Sequence, residues 1–149
     1  MHVINEANIS DIPSLVSLLA DLFSIEKDFS ADTSKQICGL ELIIANPERC
    51  VIKVARDAQG KAIGMVSAQL VISTAQGAPS AWIEDMVISQ AYRNAGLGKT
   101  LLAYALDWAK AKGATRAQLL IDIENMPAVG YYQHLGWEST QLQARRIFL

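Results

Sequence analysis

The chain has 149 residues, 51% hydrophobic and 19% charged, with a formal net charge of -2. That balance fits one ordered domain spanning 1–149, large enough to bury a core, and excludes a disordered chain. It also argues against a broad basic face, so no nucleic-acid partner is expected.

From the N-terminus, Met1-His2-Val3-Ile4-Asn5-Glu6 lacks a basic-then-apolar signal pattern. No run reaches ~18 apolar residues, so the expectation is a soluble, cytoplasmic protein with no membrane partner. His2–Ala7 reads as a short strand. Ser10 or Asp11 then caps a helix, with Pro13 in its first turn and Leu15, Leu18, Leu19 and Leu22 as one apolar stripe. Phe23–Asp32 is mixed aromatic and acidic, a loop or irregular helix. A second helix starts near Thr33, carries Ile37, Leu40 and Ile44 on one face, and stops before Pro47. Cys38 and Cys50 form no CxxC and have no paired histidines, so they read as buried thiols of a reducing compartment, with no metal.

Cys50–Ala55 and Lys61–Ile72 flank Arg56-Asp57-Ala58-Gln59-Gly60, a hairpin signature. Gly77 and Pro79 break the chain before the next strand, Ala81–Ile88. The helix Gly98–Lys112 has Leu101, Leu102, Ala105, Leu106 and Ala109 inward, and Gly113 as its stop. Ala117–Ile123 is an apolar strand, on which Asp122 and Glu124 would share one face. Pro127 opens a short helix that runs through Leu135 and ends at Gly136, and Gln141–Leu149 reads as a last strand. The stretch Ala81–Ile123 is thus a right-handed strand–helix–strand crossover with parallel strands. The fold class is α/β, of the mixed α+β kind.

The most informative segment is Arg93-Asn94-Ala95-Gly96-Leu97-Gly98-Lys99-Thr100. A strand feeding a glycine turn that opens a helix makes a phosphate site, because the first helical turn has unpaired N–H groups and the positive dipole end. Three readings compete. Gly98-Lys99-Thr100, with Leu119-Leu120-Ile121-Asp122 as a second strand, resembles a nucleotide-binding P-loop, but the first glycine of that pattern falls at Arg93. The two glycines alone would fit a tight packing turn.

The third reading rests on a family. Arg93-x-x-Gly96-x-Gly98 matches the [RQ]-x-x-G-x-[GA] motif of the GNAT superfamily of N-acetyltransferases. Ile83–Ile88 followed by Ala91-Tyr92-Arg93 resembles that family's fourth strand. Asn125-x-x-Ala128-x-x-Tyr131-Tyr132-x-x-Leu135-Gly136-Trp137 resembles its N-x-x-A-x-x-x-Y-x-x-x-G-[FW] block. The resemblance implies a central mixed, largely antiparallel sheet of six to seven strands, helices on both faces, and strands four and five parallel and splayed.

It further implies acetyl-CoA as cosubstrate and a primary amine, of a small molecule or a peptide, as acceptor. Arg93, Asn94, Ala95, Gly96, Leu97, Gly98, Lys99 and Thr100 would hold the pyrophosphate. The backbone of Met86, Val87 and Ile88 would hold the pantetheine arm, with Asn125 near the cofactor. Because an alkylammonium has a pKa near ~10, a carboxylate must take its proton, and Glu84 and Asp85 are the candidates, Glu84 preferred. On a regular strand Glu84 shares a face with Trp82 and Met86, and Asp85 with Ile83 and Val87, so both reach one cavity only if the strand bulges. Tyr132 matches the family's general acid toward the coenzyme A thiolate, while Tyr131 would pack beside it. His134 reads as a surface residue and His2 as uninvolved. Phe23, Glu26, Asp28, Phe29 and Asp32 are the acceptor-side candidates, or simply a solvated acidic loop. A homodimer is left open, and so is a non-catalytic acyl-CoA-binding module that keeps the fold as a sensor.

Overall fold

A computed structural model describes residues 2–25 and 32–149. In chain order the elements are β1 (Val3–Glu6), α1 (Ile12–Ile25), α2 (Thr33–Ile44), β2 (Cys50–Arg56), β3 (Ala62–Ser73), β4 (Ala78–Ile88), α3 (Leu97–Ala111), β5 (Arg116–Leu119) and α4 (Met126–His134). The five strands lie in sequence order in one mixed sheet, β1 to β4 antiparallel and β5 parallel to β4. By its internal contacts the chain divides into two compact units, Met1–Gln118 and Leu119–Leu149.

The first unit sandwiches its sheet between helices. Leu15, Leu18 and Leu19 of α1 and Leu40 of α2 pack on Ile52, Val54, Met65 and Val87, which point from one sheet face. Leu22, Phe23, Ile37 and Ile44 close around this cluster. On the other face, a Cβ on Gly64 would meet Leu101 of α3, whose Leu101, Leu102, Ala105 and Ala109 are buried as the heptad-like spacing predicts. Leu106 is only half-buried. Because Leu15, Met65 and Leu101 are fully buried, truncating any of them to alanine costs about 2–5 kcal/mol.

The entry to α1 differs from the cap read in the sequence. Asn8, not Ser10 or Asp11, caps a short 3-10 turn at Ile9–Asp11, and Asp11 reaches back to the Asn8 N–H at 2.8 Å. Asp11 is instead the third residue of a capping box. The hairpin turn forms because the Asp57 carboxylate accepts from the N–H groups of Gln59 and Lys61, and Gly60 takes φ +82°. Pro79 does not break the chain: it pairs with Ile72 inside β4. Cys38 is exposed and Cys50 half-buried, which corrects the expectation of two buried thiols. Partial burial raises the Cys50 thiol pKa.

Among the described residues five strands form, not six to seven. β5 stops at Leu119 because the chain turns just beyond it: the Asp122 carboxylate accepts from the Glu124 N–H at 2.9 Å, and the Asn125 N–H donates to the Asp122 carbonyl. Asp122 and Glu124 therefore sit in a turn rather than on a strand face. Gln141–Leu149 alternates like a strand but joins no ladder, and Leu142, Ile147 and Phe148 are more than four-fifths exposed. Alternation supplies propensity, while a strand also needs a partner for its N–H and C=O groups.

In the second unit, α4 begins as predicted, with Pro127 in its first turn, and ends at Gly136 with φ +91°. No helix among the described residues is long and apolar enough to cross a membrane.

Candidate active site

The central irregularity of the first unit lies in the middle of β4. Met65 pairs with Val87 and Ser67 with Glu84, so Asp85 and Met86 together oppose the single residue Val66. This is a β-bulge, and Asp85 takes the left-handed φ of +55°. The extra residue reverses the alternation. Cross-strand partners share a face, so Glu84 lies on the face of Ser67, Met65 and Val87 rather than with Met86, correcting the regular-strand reading. Asp85 is half-buried at the bulge itself.

Two neighbours hold Glu84. The Trp82 indole N–H donates to Glu84 Oε1, and the buried Ser67 hydroxyl donates to the Glu84 carbonyl at 3.1 Å. The second bond occupies a carbonyl at the point where the ladder is interrupted. Glu84 itself is exposed, and Oε2 has no protein partner among the described residues. Neither Ser67 nor the indole was identified from sequence. The signal that could have found Ser67 is one hydroxyl within the otherwise apolar run Ile63–Ala68.

Beyond Ile88 the chain makes a 3-10 turn at Gln90–Tyr92 and enters the glycine turn. Asn94 has φ +65° and Gly96 φ +78°, so two left-handed residues reverse the chain into α3. The helix begins at Leu97 with Gly96 as its N-cap, and no side chain caps its N-terminus. Leu97 is buried and anchors the turn, whereas Arg93, Asn94, Ala95, Gly96, Lys99 and Thr100 are exposed and Gly98 is half-exposed. Nothing lies within 4 Å of a Cβ built on Gly96. Arg93 Nε donates to the Ile88 carbonyl at 2.8 Å, which ties the side chain to the strand end and leaves both terminal guanidinium nitrogens without a partner among the described residues. The uncapped helix start, with its N–H groups and positive dipole end, is thus flanked in sequence by two exposed cations, Arg93 and Lys99, a combination that suits an oxyanion.

In the second unit, Asn125 caps α4 by accepting from the Ala128 N–H at 3.2 Å. Tyr132 is half-buried, edge-on to Tyr131 and to Trp137 with ring centroids 5.3 and 5.8 Å away. Burial raises the Tyr131 phenol pKa. His134 is exposed, and His2 packs edge-on against Tyr92. Of the acceptor-side candidates, Phe23 packs against the core and Asp32 caps α2, accepting from the Lys35 N–H. Glu26, Asp28 and Phe29 lie outside the described residues.

Glucosamine 6-phosphate N-acetyltransferase of Trypanosoma brucei brucei is 33% identical over 89 residues, 58% of this chain and 57% of that one. The chain spans 33–58% of the length of the curated relatives it matches. Among solved structures, a transcriptional regulator from Bacillus halodurans superposes with a TM-score of 0.85 at 24% identity, over 99% of this chain and 100% of that one. A predicted acetyltransferase of Clostridium acetobutylicum, solved with acetyl-CoA, gives 0.78 at 18% identity, over 99% and 96%. These structures share the fold. The profile of the acetyltransferase (GNAT) family matches residues 12–137, so this chain belongs to that family.

Proposed function

We propose that the protein transfers the acetyl group of acetyl-CoA to a primary amine. The observation that carries this reading is the continuity of β4 into the turn: a bulge presenting Glu84 is followed directly by an uncapped helix start flanked by Arg93 and Lys99. That start fits a pyrophosphate. Gly96 leaves room for oxygens against the backbone, and the two cations supply charge-assisted contacts. Asn94, Ala95, Leu97, Gly98 and Thr100 complete the cradle, with Met86, Val87 and Ile88 offering backbone groups to the amide-bearing arm and Asn125 as a further contact.

Acetyl-CoA supplies an activated thioester. Glu84 takes the ammonium proton, directly or through water, so that the nitrogen lone pair can form the amide bond as the C–S bond breaks. The Trp82 N–H and the Ser67 hydroxyl keep the Glu84 side chain and backbone in place for that step. Tyr132, on its position in the family motif, gives its phenolic proton to the departing sulfur. Asp85 is the second candidate for the base, and its conformation at the bulge is the reason to test it.

The test is thiol release from acetyl-CoA across a panel of amines. Turnover that falls steeply in Glu84→Gln and in Tyr132→Phe supports the assignment, whereas an unchanged rate in Tyr132→Phe removes the phenol from the mechanism. Tight acetyl-CoA binding with no turnover of any amine would favour an acyl-CoA-binding sensor instead.

A further inference from the structure

A cleft of about 340 Å³ opens where β3 ends and β4 and β5 begin, lined among others by Ser73, Ser80, Trp82, Arg116 and Gln118. Arg116 is half-buried, yet no carboxylate pairs with it among the described residues. Among the described residues its guanidinium meets only two hydroxyl oxygens: Nε donates to Ser80 Oγ and Nη2 to Ser73 Oγ, each at 3.2 Å. Nη1 and one N–H of Nη2 have no partner among the described residues. Both serines are buried, and since their oxygens accept from Arg116, their O–H groups are left to donate. A planar cation with spare donors beside two hydroxyl donors suits a carboxylate or phosphate.

The cleft lies on the face that carries Glu84. Ser67 pairs with Glu84, Gln69 with Trp82 and Val71 with Ser80, so Glu84, Trp82 and Ser80 follow one another on that face, and Arg116 reaches Ser80 from the neighbouring strand. Ser80 and Glu84 are about 13 Å apart along the strand at ~3.3 Å per residue. The Trp82 indole lies between them and leans on the Glu84 carboxylate.

We infer that Arg116, with Ser73 and Ser80, binds an anionic group on the amine acceptor, whose nitrogen lies at Glu84. This rests on the acetyl-transfer reading above. The acceptor is then an amine with a carboxylate or phosphate several bonds away, not a polyamine, whose charge is positive along its length.

The test compares amines of equal chain length ending in phosphate, carboxylate, methyl or a second amine. An anionic end should raise kcat/KM, and the phosphate and carboxylate arms show which anion is preferred. Arg116→Gln should raise KM for the anionic acceptor roughly tenfold or more with kcat little changed, leave the methyl-ended amine unaffected, and be partly restored by Arg116→Lys. Preference for the diamine, or an equal loss for all acceptors, overturns the inference. If no amine is acetylated, the proposed function fails, and inorganic phosphate titrated against the Trp82 indole N–H signal decides the anion site separately. A saturable shift lost in Arg116→Gln supports the site; its absence in the wild type overturns it.

Discussion

Two polar corners of the first unit are built on opposite lines. At the Asp11–Arg56 corner every strong group is matched. The guanidinium meets both Asp11 oxygens, at 2.6 and 2.9 Å, and also donates to Asn5 and to the carbonyls of Gly60 and Glu6. Asp11 in turn accepts the Asn8 N–H. At Glu84, Arg93 and the start of α3 the groups are held but not matched among the described residues: Glu84 keeps one oxygen open, Arg93 keeps two nitrogens open, and α3 starts without a side-chain cap. Saturated polar groups rigidify a fold, whereas pre-positioned open ones have free energy left for a ligand. The first corner joins β1, β2 and the start of α1, so it serves the fold; the second is the one proposed here for chemistry.

Substitutions should separate the two. Glu84→Gln keeps the shape and the Trp82 contact but cannot take a proton. We expect kcat to fall about 10²–10⁴-fold with the melting temperature unchanged. Steady-state rates beside a thermal melt check both halves, and a large loss of stability would move Glu84 into the structural class. Arg56→Ala should do the reverse. Leaving the buried Asp11 carboxylate unpaired costs about 3 kcal/mol by urea denaturation, while the KM for acetyl-CoA stays put.

The same corner sets an acid limit. The hydrogen bond from Arg56 holds the Asp11 carboxyl below its ordinary range, aided by the Asn8 N–H and against a burial effect that raises it. A lowered folded-state pKa means that the stabilisation is complete above the unfolded value near ~3.9 and is lost as pH falls through the folded one. Stability of the wild type should therefore decline below about pH 4–5 more steeply than that of Asp11→Asn, measured by denaturation from pH 7 to 2.5. Parallel curves would show that the pair contributes little.

The asymmetry between the corners also explains what the sequence could tell. The glycine turn was legible because Gly96 and Gly98 signal backbone conformation directly, and α3 follows it with a regular apolar period. The Asp11–Arg56 pair was not legible, because a contact spanning 45 positions leaves no local pattern. The bulge was a condition rather than a reading: only the pairing of Ser67 with Glu84 and Met65 with Val87 reveals an extra residue. Arg116 gave no signal either, since its meaning comes from two serines 36 and 43 positions away. The last segment misled for the opposite reason, its alternation being visible and its missing partner not.

A smaller effect sharpens the comparison at the bulge. Asp85 at φ +55° is a non-glycine residue in the left-handed region, which costs roughly 1 kcal/mol that glycine would not incur. Asp85→Gly should therefore be neutral or up to about 1 kcal/mol more stable, if its polar contacts contribute no more than the strain they offset. With Glu84 as base, the variant keeps most of its activity, because the bulge that aims Glu84 is easier for glycine to adopt. If activity instead falls as far as in Glu84→Gln while stability rises, Asp85 is the base, and the strain at this one residue belongs to function rather than to the fold.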